Sequence, residues 1–223
     1  RTPPPNFWWN QQGRDRRSQR EHEQGVRPAA MRALLLYPLN ALIEDQLGRV
    51  RESCDGEPAR QWLADHRAGH RFWFGRYNGS TPVPGAPDDQ SRLTKLRGKL
   101  RNMEREWHRA GQSAAIRGPQ ILPFFQEPAG AEMWSRWDMQ EAPPDLLITN
   151  YSMLNIMLMR DVENSIFEHT RQWLSENRDR VFHLVVDELH SYRGTPGTEV
   201  GYLLRAFLDR IDLHPDSEQL RII

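Results

Sequence analysis

Of the 30 basic residues, only Lys95 and Lys99 are lysine. Neither lies in a GxxxxGK[ST] pattern, so residues 1–223 contain no phosphate-cradling loop of that kind. The single cysteine, Cys54, excludes an internal disulfide and a cysteine-ligated zinc site. No apolar run approaches the roughly eighteen residues of a membrane span, so no membrane partner is expected. Arg1, Thr2 and Pro3 to Pro5 do not read as a secretory leader. A cytoplasmic location is the expectation. The chain lacks an initiator Met and closes on Leu220 to Ile223, which reads as a strand just beginning. The expectation is a piece of a longer chain. Apolar residues are 38% and charged residues 27% of the sequence. The usual apolar share is about 45–50% on a count that includes Gly, so long wet loops are expected.

Net charge is zero, with 30 charges of each sign, and as a total it argues for no partner. Its distribution says more. Residues 1–32 carry +4 and residues 91–109 carry +5, whereas 33–90 carry −2 and 110–223 carry −7. Two short basic stretches thus sit in a neutral to acidic body. Each reads as a solvated face or as a track for a phosphate backbone.

Residues 1–31 read as an irregular arm or loop. RALLLY at 32–37, ended by Pro38, suits a buried strand. Leu39, Leu42, Ile43, Leu47 and Val50 then repeat at helical spacing over 39–52. A short helix is expected near Gln61 to His66, and a strand over Phe72 to Tyr77 before the turn Asn78-Gly79-Ser80. Residues 81–144 are expected to be a loop-rich insertion. Within it, 91–109 read as a basic helix that Gly98 weakens. Asp145 to Thr149 and Val181 to Val186 read as two more buried strands. Helices are expected at 152–159, 165–177 and from a cap at Thr198. Strands that alternate with helices and run nearly unbroken in apolar residues predict an α/β fold, a parallel sheet with helices on both faces.

The sharpest local signal is Leu184-Val185-Val186-Asp187-Glu188-Leu189-His190. A buried strand delivers two carboxylates at its C-terminal end, where ligands bind in open α/β sheets. An Asp there suits Mg²⁺, which takes hard oxygen ligands, and the next Glu can orient or deprotonate a water. A surface turn with a salt-bridged Glu is the plainer alternative for a bare pair.

The full Asp187-Glu188-Leu189-His190 string resembles motif II of the DExH class of superfamily 2 helicases. Ser191-Tyr192-Arg193-Gly194 resembles its continuation in the large Lhr-type branch. Leu36-Tyr37-Pro38-Leu39-Asn40-Ala41-Leu42, with Asp45-Gln46, resembles motif Ia. Arg76-Tyr77-Asn78-Gly79-Ser80-Thr81 resembles the segment after it. Ile148-Thr149-Asn150-Tyr151-Ser152-Met153-Leu154 resembles the stretch usually written TNPDML, with Tyr151 and Ser152 in place of its Pro and Asp. The matches keep the family's order across residues 32–212.

The resemblance implies a RecA-like P-loop NTPase fold, here without its phosphate-loop strand, and a DExH helicase or translocase that hydrolyses ATP in the complete parent protein. It implies that Asp187 coordinates the Mg²⁺ of ATP, that Glu188 is the catalytic base and that His190 couples the nucleotide site to a later motif. Pro38, Asn40, Asn78, Gly79, Thr149, Asn150 and Arg193 would face nucleic acid, DNA rather than RNA. The piece alone would be a poor ATPase. A motor without strand separation, and a degenerate module that only binds nucleic acid or protein, are the competing readings. The insertion at 81–144 would add substrate or protein-partner contacts. Trp8, Trp9, Trp134 and Trp137 are expected to pack locally, as are Phe124 and Phe125. Met153, Met157 and Met159 are expected to fill the core.

Overall fold

Strand β1, Ala33–Tyr37, lies at the centre of the sheet. The computed structural model describes residues 7–11, 15–20, 27–83, 89–188 and 195–223. Leu34 and Leu36 are fully buried, and Pro38, which has no N–H for a ladder, follows the strand directly. Fully burying one such leucine stabilises the fold by about 1.5–3 kcal/mol. The chain continues through helices α1 (Asn40–Asp55) and α2 (Glu57–His66) to the edge strand β2 (Phe74–Arg76). Helices α3 (Gln90–Arg117) and α4 (Arg136–Glu141) precede β3 (Leu146–Asn150). Helices α5 (Tyr151–Met159) and α6 (Asn164–Ser175) lead to β4 (Phe182–Val186), and α7 (Thr195–Arg210) leads to β5 (Leu220–Ile222).

The sheet order is β2-β3-β1-β4-β5 and every pair is parallel. Leu36 is level with Thr149 on one side and Val186 on the other. The expected α/β class, a parallel sheet flanked by helices on both faces, is what forms. Each parallel return requires a crossover, and the helices supply them. Phe207 of α7 packs between Phe167 of α6 and Phe182 of β4, with ring centroids 6.3 and 5.7 Å away. Among the described residues no helix is long and apolar enough to cross a membrane.

The N-terminal edge of the sheet is tied by charge. Asp145 is fully buried, and its carboxylate accepts from the Trp73 N–H at 2.9 Å and from the guanidinium groups of Arg27 and Arg32. Its carbonyl accepts from the N–H groups of Arg32 and Ala33. Burial holds the Arg32 guanidinium at about 10 despite the raising effect of Asp145.

Several expectations differ from the structure. Within 81–144, expected to be rich in loop, Gln90–Arg117 forms one 28-residue helix. Asp89 caps it by accepting from the N–H groups of Ser91 and Arg92, and Gly118 ends it at φ 96°. Helix α7 starts at Thr195, ahead of Thr198. Met159 is exposed, while Met153 and Met157 are buried as expected. Trp8, Trp9, Trp134 and Trp137 form a second apolar cluster with Leu96 and Leu100 of α3, but Phe124 stands 71% exposed.

Candidate functional site

Because all the strands are parallel, β1, β2, β3 and β4 deliver their following loops to one edge of the sheet. Five of the sequence-predicted residues meet there in two groups, one on either side of β1.

On the β3 side three asparagines converge. Asn40 is the first residue of α1, Asn78 follows β2 by two residues, and Asn150 ends β3. The Asn40 side-chain oxygen accepts from Nδ2 of Asn150 at 2.7 Å and from Nδ2 of Asn78 at 3.2 Å. Asn150 uses its own oxygen to accept the Met153 N–H at 2.7 Å, capping α5. Asn78 is buried, and its oxygen accepts from the N–H and hydroxyl of Ser80. Gly79, at the tip of that turn, is exposed with open space beside it.

Thr149 sits differently from its neighbours. It is fully buried, and its hydroxyl donates to the Tyr77 carbonyl at 2.6 Å. It holds the Asn78 turn in place from below the surface. Pro38 is half-buried between β1 and α1. Leu39 occupies the cap position of α1 in extended backbone, with no side-chain cap, and no acid lies in the first turn. The first N–H groups of α1 therefore start without a side-chain acceptor, an arrangement suited to a phosphate oxygen. Leu39 and Leu42, expected on the apolar face of this helix, are instead exposed at the edge. Ile43 and Leu47 are the buried side.

On the β4 side stand the two carboxylates. The Asp187 N–H donates to the Leu36 carbonyl at 2.9 Å, which ties the start of the acidic turn to β1. Asp187 is half-buried and Glu188 exposed. Glu188 adopts φ 54°, a left-handed conformation uncommon for a residue with a side chain. Tyr37 lies beside them, and its phenol is pushed up by burial and then by the charge of Asp187. Among the described residues no group of three or more His, Cys, Asp or Glu stands together as a metal cage. His190 and Arg193 lie outside the described residues.

A buried polar chain under the Asn78 turn has no counterpart in the expectations. Arg136 of α4 donates to the Asn78 carbonyl and covers the Tyr77 ring, 5.2 Å from its centroid. The Tyr77 hydroxyl donates to Glu163 at 2.8 Å and accepts from Gln140 at 2.9 Å. Burial pushes the Glu163 carboxyl up, against the lowering effect of the Tyr77 hydrogen bond and of Arg160 and Arg136. One signal in the sequence pointed here. Ser135-x-x-Asp138 is a capping-box pattern, and Ser135 does accept the Asp138 N–H. It marks the start of α4 and so the placement of Arg136.

The chain is similar over most of its length to a curated protein. The Druantia protein DruE of Escherichia coli (strain UMEA 4076-1) is 34% identical over 229 residues, covering 86% of this chain. The chain spans 12% of that relative's length. No protein-family model matches the chain, and no solved structure matches it.

Proposed function

We propose that this chain is part of the first RecA-like motor domain of a DExH helicase or translocase that acts on nucleic acid, DNA rather than RNA. One observation carries the reading. Asn78 and Asn150 both donate to the side-chain oxygen of Asn40, joining three segments that each resemble a separate helicase motif, at the sheet edge that also bears Asp187 and Glu188.

In this reading the asparagine edge and the start of α1 take phosphate oxygens of a nucleic-acid strand. Asp187 offers one hard oxygen to Mg²⁺, an ion commonly held by one or two carboxylates together with water and nucleotide phosphates. When bound, ATP with Mg²⁺ supplies the phosphoryl group and neutralises the charge that develops on it. Glu188 orients the attacking water and accepts its proton. His190 would couple this turn to the remainder of the motor. The phosphate loop, absent from residues 1–223, would come from the parent protein, as would the second motor domain. The reading carries with it the expected cytoplasmic location.

The test uses the full-length parent. Addition of single-stranded DNA is expected to stimulate ATP hydrolysis. Glu188→Gln is expected to lower kcat by about a hundredfold or more, with nucleotide binding retained. A parent that binds DNA without any hydrolysis is a degenerate module, and that result would overturn the motor reading. Hydrolysis without strand displacement assigns a translocase.

A further inference from the structure

The long helix α3 carries a cluster of cations that the motor reading does not use. One face of α3 packs on the tryptophan cluster through Leu96 and Leu100, and Glu104 on that side accepts from the Trp9 indole N–H at 2.8 Å and from Asn10. Another face borders an open cleft of about 770 Å³. Lys95, Lys99 and Arg105 line it from α3, with Arg51 and Arg76 opposite. Arg51 is engaged by the buried Glu132, and Arg76 by Glu44. Lys95 and Lys99 have no hydrogen bond or ion pair among the described residues, and both are exposed. They stand one helical turn apart, about 6 Å along the axis. Glu106, also at the cleft, is occupied by Asn102 at 2.7 Å.

Two further observations bear on the occupant. Phe124 and Phe125 line the same cleft and are 71% and 36% exposed, so aromatic rings share it with the cations. Two residues of the cleft also neighbour the asparagine edge along the chain. Arg76 ends β2 just before Tyr77 and Asn78, and Glu44 lies one turn along α1 from Asn40. Cations that follow a backbone, joined to exposed aromatic rings, are the chemistry that binds single-stranded nucleic acid. In a duplex the bases are stacked inward and offer no face to Phe124.

We infer that this cleft carries a nucleic-acid strand onward from the asparagine edge, with Lys95, Lys99 and Arg105 on its phosphates and Phe124 stacked on an unpaired base. The inference rests on the motor reading for the first part of that path.

The test measures binding of fluorescein-labelled single-stranded DNA to the full-length parent. One oligonucleotide is short enough to cover the asparagine edge alone, and a longer one reaches the cleft. The triple substitution Lys95→Ala, Lys99→Ala and Arg105→Ala is expected to weaken the longer oligonucleotide by tenfold or more and to leave the short one unchanged. The slope of log affinity against log salt should fall by about 2, at about 0.7 for each lost phosphate contact on a single strand. Phe124→Ala should weaken the longer oligonucleotide by about fivefold. All four side chains are exposed, and a circular-dichroism melt equal to wild type checks that the variants fold.

Unchanged affinity and salt slope for the longer oligonucleotide would overturn the inference and leave the cleft to an acidic protein partner. Equal weakening of blunt duplex, with Phe124→Ala silent, would overturn the single-strand assignment. An Asn40→Asp variant separates the two levels. If it loses the short oligonucleotide while the triple variant loses nothing, the motor reading stands and the cleft does not. If wild type binds neither oligonucleotide, the motor reading itself falls.

Discussion

The side-chain oxygen of Asn40 accepts the amide of Asn150 at 2.7 Å across 110 residues of sequence. The first turn of α1 is thereby fixed to the end of β3, and Asn78 joins through the same oxygen. Asn40→Ala removes the shared acceptor. Each hydrogen bond contributes about 0.5–1.5 kcal/mol, toward the low end here because Asn40 is exposed. The expected stability loss is about 1 kcal/mol by urea titration. The loss of DNA affinity in the parent protein should be larger in proportion, since two strand-end loops lose their common anchor.

Asp145 should matter far more to stability than any residue at the functional edge. It is fully buried and satisfies Arg27, Arg32 and the Trp73 N–H together. Asp145→Ala strands two partly buried guanidinium groups and a backbone donor. The expected cost is about 3 kcal/mol or more, read as a lower urea midpoint.

Glu163 makes stability depend on pH with a definite sign. Its folded-state pKa is raised by burial, so the folded protein holds the proton more tightly than the unfolded chain. That contribution is fully present below the ordinary glutamate range and is lost as pH rises through the raised value. Glu163→Gln cannot titrate. The stability of Glu163→Gln relative to wild type should therefore increase as pH is raised from about 4 toward neutrality. Paired urea curves across that range measure it. A difference that stays flat or declines would contradict the assignment.

Tyr37 reports on Asp187. Burial raises the phenol first and the Asp187 charge adds to it. Asp187→Asn should lower the Tyr37 pKa while the part due to burial remains. Ultraviolet titration of tyrosinate, with Tyr37→Phe to identify the band, reads the change directly.

Gly111 lies inside α3, toward its C-terminal end, exposed, with nothing within 4 Å of an added Cβ. Gly111→Ala should stabilise the chain by about 0.5–1 kcal/mol by restricting the unfolded state and favouring the helix.

The parts of this molecule that could be read from sequence are those decided by local pattern. β1 is an unbroken apolar run and β3 and β4 are nearly so, broken only by Thr149 and His183. Pro38, Asn150 and Asp187 mark their ends, and no helix period competes with them. Sequence spacing gives a helix only over 91–109, with Gly98 as its weak point, and Gly111 lies in the part of α3 beyond that range. Both are exposed and sterically free, whereas the helix is held by Leu96, Leu100 and Ala110 on its buried side. The Asp89 cap was present in the sequence, but it stood among prolines and aspartates that read as loop. The site was legible only through motif resemblance. Nothing in spacing says that Asn40 and Asn150 share a hydrogen bond, because sheet order decides it. The same holds for Arg136 under Asn78, where a residue of the insertion reaches back 58 positions. Thr149 is a different case. Its place in a motif implies a nucleic-acid contact, whereas β3 is buried at every position from Leu146 through Thr149 and the Thr149 hydroxyl is spent on the Tyr77 carbonyl.

The tryptophan cluster gives the protein its own optical probe. The indoles of Trp8 and Trp9 meet edge-on at 5.8 Å, and those of Trp9 and Trp134 at 4.7 Å. The strong far-ultraviolet indole transitions mix at such separations, so the far-ultraviolet circular dichroism should contain a paired band of opposite signs. Trp9 is also bonded through its indole N–H to Glu104 on α3. Any occupant that shifts α3 will disturb that band and the emission colour of Trp9, and the unlabelled protein will announce the movement by itself.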